Sequence, residues 1–375
     1  MRRIIFVVTL VIGMVCKARA QTGALAPALT AVSAPTAAQS QGRFDKVDAW
    51  LTDNVKEMGG RAILLVYKGG KVVYVKSVND MSRRQKMVNK YIARRQGKEA
   101  DLEDYTMQSR QPVASCSKWF SAALVMTFVD EGRLSLSDTV GKYLPVLSAH
   151  GKGGITVKQC LSHLTGIKEP PLKESIKEMR TVKSMDQAIA AIAEMPMEGQ
   201  PGKVFHYSNA GLQIAGAILE KISGESFESL FAERISRPLG MKNTDFGKGP
   251  VALPAGGASS TPEDYMRFLV MILDKGMYKG ARILSEKSVA EMQVNRISPD
   301  ITIAYSPAET LGLSAGYGFG EWTMGSAVTS PGLFGSFPWV DPGAGYCAFL
   351  MTFYLKNEGR GERYSTLKKL VEEAL

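Results

Sequence analysis

The stretch Pro112–Gly132, PVASCSKWFSAALVMTFVDEG, constrains this chain more than any other. Trp119, Phe120, Ala122, Ala123, Leu124, Met126, Phe128 and Val129 are apolar, so a helix here has no polar face to offer water and belongs in an interior. Its front end is different. Ser115 stands where the helix begins and Lys118 follows three residues on. That spacing puts a hydroxyl and an amine on one face, near the positive end of the helix dipole. Burying a lysine is costly unless it is paired or gives up its proton. A serine nucleophile with a lysine base is the chemistry such a pair permits.

The spacing alone is a weak signal, expected about once or twice by chance in a chain of this length. It recurs at Ser365–Lys368, in a charged C-terminal helix with no apolar run behind it, where a solvated helix face is the plain reading. The rest of the chain decides between the two copies.

With 375 residues, 45% hydrophobic and 22% charged, the chain has the makings of a soluble globular enzyme with a large core. Residues 1–20 carry Arg2 and Arg3, an apolar core from Ile4 to Cys16, and Ala18-Arg19-Ala20. This is the pattern of a secretory signal cut after Ala20, and it implies a secreted or periplasmic protein. Val15 before Cys16 disfavours lipoprotein processing. Removing this segment takes four positive charges off the net +10, leaving a modestly basic chain without a nucleic-acid-binding signature. Residues 21–42, rich in Ala, Pro, Thr and Ser, are expected to form a flexible tether. Cys116, Cys160 and Cys347 lie in apolar contexts without metal-ligand spacing and are expected to be buried free thiols.

Phe44 to Met58 has helical spacing and stops at Gly59-Gly60. Ala62–Tyr67 and Val72–Lys76 flank a Lys-Gly-Gly turn and form a hairpin; the first strand is apolar enough for burial on both faces. Residues 83–98 hold Arg83, Arg84, Lys86, Lys90, Arg94, Arg95 and Lys98. They fit either a solvated helix or loop, or a contact with an anionic cell envelope. Ile155–Ile167 is a short helix capped at Thr156, with His163 tying the turn that follows. Pro201–Glu220 brings Tyr207-Ser208-Asn209, the single Tyr-x-Asn of the chain, to a loop before a long apolar helix. Pro262–Leu273 is a further helix, and the last quarter turns β-rich before a closing helix. Strands at both ends with helices between them suggest one sheet built from distant segments.

Together these residues resemble the serine β-lactamase and penicillin-binding-protein superfamily, over about residues 43–375, and within it the class C β-lactamase-like, esterase-rich branch. Ser115-Cys-Ser-Lys118 is similar to the family's Ser-x-x-Lys motif and Tyr207-Ser-Asn209 to its Tyr-x-Asn motif. LSHLTGI, RPLGM, AGGASST and YGFG match further landmarks. The resemblance implies an α+β, β-lactamase/transpeptidase-like fold, with an antiparallel sheet flanked by N- and C-terminal helices and an inserted all-helical subdomain. The α/β part would span about 43–114 and 300–375, the helical part about 115–299.

It also implies acyl transfer through a covalent intermediate on Ser115, with Lys118 and Tyr207 as general base. Lys118 would be kept neutral by burial and cationic surroundings, and both groups would need a lowered pKa to act near pH 7. Asn209 would orient Lys118 and the substrate, and the N–H groups of Ser115 and Leu333 would hold the oxyanion. No metal or cofactor is implied, and no glutamate for class A-type deacylation can be located. The third motif departs. Where the family has Lys-Thr-Gly or His-x-Gly, this chain has Ser330-Pro331-Gly332, so Ser330 offers a hydroxyl in place of a cation. Neutral esters or amides then fit better than acidic β-lactams. A β-lactamase, a D-alanyl peptidase and a non-catalytic binding protein are the alternatives. The partner expected is a small-molecule acyl substrate; the oligomeric state stays open.

Overall fold

The computed structural model describes residues 42–375 apart from 96, 98, 172–173, 175–180 and 311–314. The signal segment, Cys16, all of the tether except its last residue, and Lys98 therefore lie outside the described residues. Helix α1 (Asp45–Asn54) buries Val47 and Leu51 and carries Asp45 and Asp48 in its first turn, where acids favour the dipole. The hairpin follows as β1 (Arg61–Lys68) and β2 (Lys71–Asn79), turned by Gly69 and Gly70, both at positive φ. A basic helix, α2 (Arg83–Arg95), comes next. The apolar stretch is helix α3 (Ser117–Asp130), buried from Ser117 through Phe128. Helices α4 (Ala210–Ser223) and α5 (Pro262–Leu273) pack near it.

Strands β3 (Gly316–Tyr317), β4 (Trp322–Met324), β5 (Ala327–Thr329), β6 (Phe337–Asp341) and β7 (Tyr346–Thr352) complete the sheet before the closing helix α6 (Arg360–Ala374). The seven strands run in the order β2-β1-β7-β6-β5-β4-β3, every neighbour antiparallel. Chain ends thus meet in the middle: Leu64 pairs with Leu350 across β1 and β7.

Strand periodicity sorts the core into two layers. Ala62, Leu64, Val66, Ala348 and Leu350 point at α1 and α6, while Ile63, Leu65, Tyr67, Phe349 and Met351 point at α3 and α5. This is why β1 is apolar at consecutive positions. Phe120 of α3 meets Phe268 of α5 edge-on at 4.8 Å, and burying such a ring contributes about 2–3 kcal/mol.

The inserted region, about 115–299, is mainly helical with one short ribbon of its own. Among the described residues, ribbons pair Gln111–Pro112 with Ser259–Ser260, Val204–His206 with Thr302–Tyr305, and Met277–Tyr278 with Ala281–Arg282; the first two tie the region to strands outside it and the last lies within it. The second is parallel and leads directly into Tyr207. The C-terminal Ser-x-x-Lys pair lies on α6, with Ser365 exposed and Lys368 in ion pairs with Asp341 and Glu372; the other face of α6 packs Tyr364, Leu367 and Val371 on the sheet. Cys116, Cys160 and Cys347 are free and buried. Among the described residues no helix is long and apolar enough to cross a membrane.

Candidate active site

The turn that presents Ser115 is shaped before α3 begins. Val113 N–H donates to Ala258 O at 3.0 Å. Ala114 then takes a left-handed backbone, φ 48°, which costs a residue with a Cβ about 1–2 kcal/mol. Three bonds hold the kink: Ser117 Oγ donates to Ala114 O (2.6 Å), Ala258 N–H donates to Ser117 Oγ (3.0 Å), and the Tyr265 hydroxyl donates to Cys116 O (2.9 Å). Such strain persists only where the surroundings over-determine it. Here it leaves Ser115 on the wall of a cavity of about 530 Å³, while its neighbours Ala114 and Cys116 are buried.

Lys118 is 1% exposed. Its Nζ lies 2.8 Å from Ala255 O, 3.3 Å from Asn209 Oδ1 and 3.2 Å from Ser115 Oγ. Burial pushes this amine down to about 7, with the Glu169 carboxylate pulling the other way. The expected cationic surroundings are therefore not the cause; desolvation is, and the nearby charge that matters is negative. A neutral amine has two hydrogens and one lone pair. The two carbonyl oxygens accept both hydrogens, so the lone pair is left facing the Ser115 hydroxyl. That is the arrangement a general base requires.

Tyr207 departs from expectation in sign. Its ring stacks on Trp322 at 5.3 Å, lies 4.5 Å from the His163 ring, and sits 4.7 Å from Lys118 Nζ. Burial raises its phenol above the ordinary tyrosine value, with only a partial offset from a hydrogen bond with Ser115. Tyr207 keeps its proton near neutral pH. In that form it can donate or relay a proton.

Asn209 is held on both sides. Its Nδ2 donates to Glu169 Oε1 (3.1 Å), which turns Oδ1 toward Lys118. The other Glu169 oxygen accepts from the Asn209 N–H and from the Ala210 N–H (3.2 Å), capping the first turn of α4. A glutamate is thus present in the site after all, occupied as a clamp. Glu169→Gln is expected to lower kcat/KM about 10- to 100-fold by releasing Asn209. It should also move the acid limb of the pH profile to lower pH, because the charge that raises Lys118 is gone. A limb that stays in place in the measured profile would count against this electrostatic link.

In the third motif, Ser330 is 2% exposed and its hydroxyl is directed at Ser115 O (3.1 Å) and Gly320 O (3.0 Å). It pins the end of strand β5 to the Ser115 turn and does not line the cavity, which corrects the expectation of a substrate-holding hydroxyl. Pro331, Gly332 and Leu333 do line the cavity. A Cβ on Gly332 would fall 2.3 Å from Val113 O and 3.1 Å from Cys116 Sγ, so only glycine lets this loop lie against the turn. Gly332 N–H donates to Ser336 O (2.8 Å). The N–H groups of Ser115 and Leu333 have no acceptor among the described residues and remain available to an oxyanion.

His163 is buried, and burial together with the Lys118 and His206 charges pushes its imidazole well below the ordinary value. Its Nδ1 accepts from Ser208 N–H (3.3 Å), so Nε2 carries the hydrogen and donates to Tyr317 Oη (3.0 Å). It ties the Tyr207 loop, as expected from its place in a compact stop. Two residues that shape the site were not singled out from the sequence, Glu169 and Arg360. Arg360, on the first turn of α6, lines the cavity and donates from Nη1 to Leu333 O (3.0 Å). Neither sits in a motif, and only packing brings them to Ser115.

The sequence model of the Beta-lactamase family matches residues 48–372. D-alanyl-D-alanine-carboxypeptidase/endopeptidase AmpH of Escherichia coli K12 is 25% identical over 191 residues, 44% of this chain and half of that protein. The structure of a Bacteroides dorei protein superposes with a TM-score of 0.71 at 26% identity, covering 88% of this chain and 98% of that one. EstCE1, a hydrolase with promiscuous acyltransferase activity, shares the fold at 19% identity with a TM-score of 0.68, over 88% of this chain and 98% of its own. A family match of that length, on this fold, identifies the chain as a hydrolase of the serine β-lactamase and penicillin-binding-protein superfamily.

Proposed function

We propose that this enzyme is an esterase or amidase acting on small neutral acyl substrates. The observation that carries this reading is the cavity itself. Ser115 faces Tyr207, Tyr305, Trp322, Met324 and Leu333, and the third motif adds no charge, so the ionisable lining comes from elsewhere, from Lys168, Glu169, His206 and Arg360. Ser115 Oγ attacks the substrate carbonyl as its proton passes to Lys118 Nζ. The oxyanion settles between the N–H groups of Ser115 and Leu333, each such donor typically removing about 3 kcal/mol from the barrier. The proton then moves through the Tyr207 hydroxyl to the leaving alcohol or amine, leaving an ester on Ser115. Water, or another alcohol as in the acyltransferase activity printed for EstCE1, takes the acyl group off.

One observation favours a second reading, hydrolysis of carboxylate-bearing β-lactams or D-alanyl peptides. Arg360 lines the cavity and has no ion pair among the described residues, although its guanidinium already donates to the backbone oxygens of Leu333, Tyr354 and Lys356. A fluorophosphonate probe is expected to label the enzyme, with the adduct mapped to Ser115 by mass spectrometry. p-Nitrophenyl esters are expected to be turned over and nitrocefin not. An enzyme that hydrolyses nitrocefin, and loses that activity in Arg360→Met, would replace the first reading with the second. No adduct at Ser115 would remove both.

A further inference from the structure

Helix α2 is mounted the wrong way round for a surface helix. An amphipathic helix on a soluble protein turns its apolar stripe inward. Among its described side chains, two polar and uncharged ones turn inward: Gln85 Nε2 donates to Lys56 O (3.0 Å) and Asn89 Nδ2 approaches the buried Met81 Sδ (3.8 Å) just ahead of the helix. Met87, Val88 and Tyr91, one turn apart, point outward and are 66%, 49% and 61% exposed. Around them stand Arg83, Arg84, Lys86, Lys90, Arg94 and Arg95, with no acid anywhere in the helix. None of these six cations joins an ion pair among the described residues; Arg95 donates only to the Tyr91 hydroxyl (3.1 Å). The acidic segment that follows is engaged elsewhere at Asp101, which pairs with Arg61.

We propose that α2 docks this enzyme on an anionic phospholipid bilayer. The helix lies flat on the surface, with Met87, Val88 and Tyr91 at the boundary between headgroups and acyl chains and the cations on lipid phosphates. Charge complementarity selects the anionic partner, and the exposed apolar stripe selects a bilayer over a soluble polyanion, which offers nothing to bury it. The surrounding surface continues the same character. A Cβ on Gly60 would meet Met81 and Gln85 at the foot of α2, and one on Gly59 would meet Phe353 O, so these two segments are neighbours. Phe353 and Leu355 are 39% and 62% exposed, and Phe353 stacks at 4.9 Å on Phe334, next to Leu333 at the cavity. The docking surface therefore runs toward the mouth of the active site.

Sedimentation of the full chain with vesicles tests this. Binding is expected to phosphatidylglycerol–phosphatidylcholine vesicles, and not to phosphatidylcholine alone. Combined Arg83→Gln, Arg84→Gln, Lys86→Gln, Lys90→Gln, Arg94→Gln and Arg95→Gln should weaken it by about a hundredfold or more. Combined Met87→Ser, Val88→Ser and Tyr91→Ser keep every charge and should still weaken it by about tenfold or more. Ester hydrolysis in solution should be unchanged in both, because α2 does not line the cavity. The N-terminal apolar segment is the same in all three proteins, so binding that survives both sets of substitutions overturns the proposal. So does absence of binding by the wild type. Loss in the cationic variant alone would show a site for a soluble polyanion and overturn the bilayer assignment. Tyr91→Trp supplies a reading in a protein with the helix otherwise intact: its added fluorescence should be quenched by brominated lipid, and an unquenched signal would mean that the stripe stays in water.

Discussion

Lys118→Met is expected to lower kcat/KM for a p-nitrophenyl ester by about 10³- to 10⁴-fold, the span typical of a lost general base. Methionine fills a similar volume, so the first turn of α3 should stay packed while the lone pair facing Ser115 disappears. The pH profile carries the sharper signature. With the amine held at about 7 by burial, the wild-type rate should rise about tenfold per unit as pH increases toward 7 and level off above about 8. The sign follows from which form works: the protonated amine has no lone pair, so acid switches the enzyme off. The variant should lose this limb altogether. A profile that keeps its limb in Lys118→Met would assign the titration to another group, and Tyr207 is a poor candidate because its phenol moves upward.

Gly332→Ala is expected to be nearly as damaging for a steric reason. The added methyl would fall 2.3 Å from Val113 O, a backbone atom of the turn that presents Ser115, and 3.1 Å from Cys116 Sγ. Neither neighbour can move away freely. Val113 N–H is bonded to Ala258 O, and Cys116 is buried with its thiol donating to Ser336 O (3.7 Å). The loop must retreat, and it takes the Leu333 N–H away from the oxyanion position. Loss of one such donor lowers kcat about 10²- to 10³-fold, and overpacking of this kind costs about 1–3 kcal/mol of stability. Steady-state kinetics together with thermal unfolding separate the two effects. An unchanged kcat in a folded Gly332→Ala enzyme would mean that Leu333 is not an oxyanion donor.

Much of the framework was legible because it rests on local periodicity. The all-apolar run of α3 requires burial wherever the chain puts it, and the consecutive apolar residues of β1 announce a strand covered on both faces. The cap at Thr156 and the Pro262 start of α5 were readable for the same reason, since each is satisfied within one turn of helix. The short ribbons at and within the helical region were less legible. They are two to four residues long and pair segments up to 149 positions apart, as in Gln111 with Ser260, so neither period nor turn chemistry signals them.

The sequence by itself determined the chemical inventory: a serine and a lysine one helical turn apart, a unique Tyr-x-Asn, and a third motif without a cation. These are covalent facts, and the spacing along one helix follows from its pitch. The signs of the electrostatics were decided only by the tertiary structure. Lys118 moves down because the fold surrounds it, and Tyr207 moves up for the same cause, since desolvation disfavours whichever form is charged. Tertiary packing also gave Ser330 to the backbone, brought Glu169 and Arg360 to the site from segments without a motif, and set α2 with its apolar stripe outward. Composition lists which groups exist; whether each meets water, a partner or a substrate depends on what the rest of the chain places beside it.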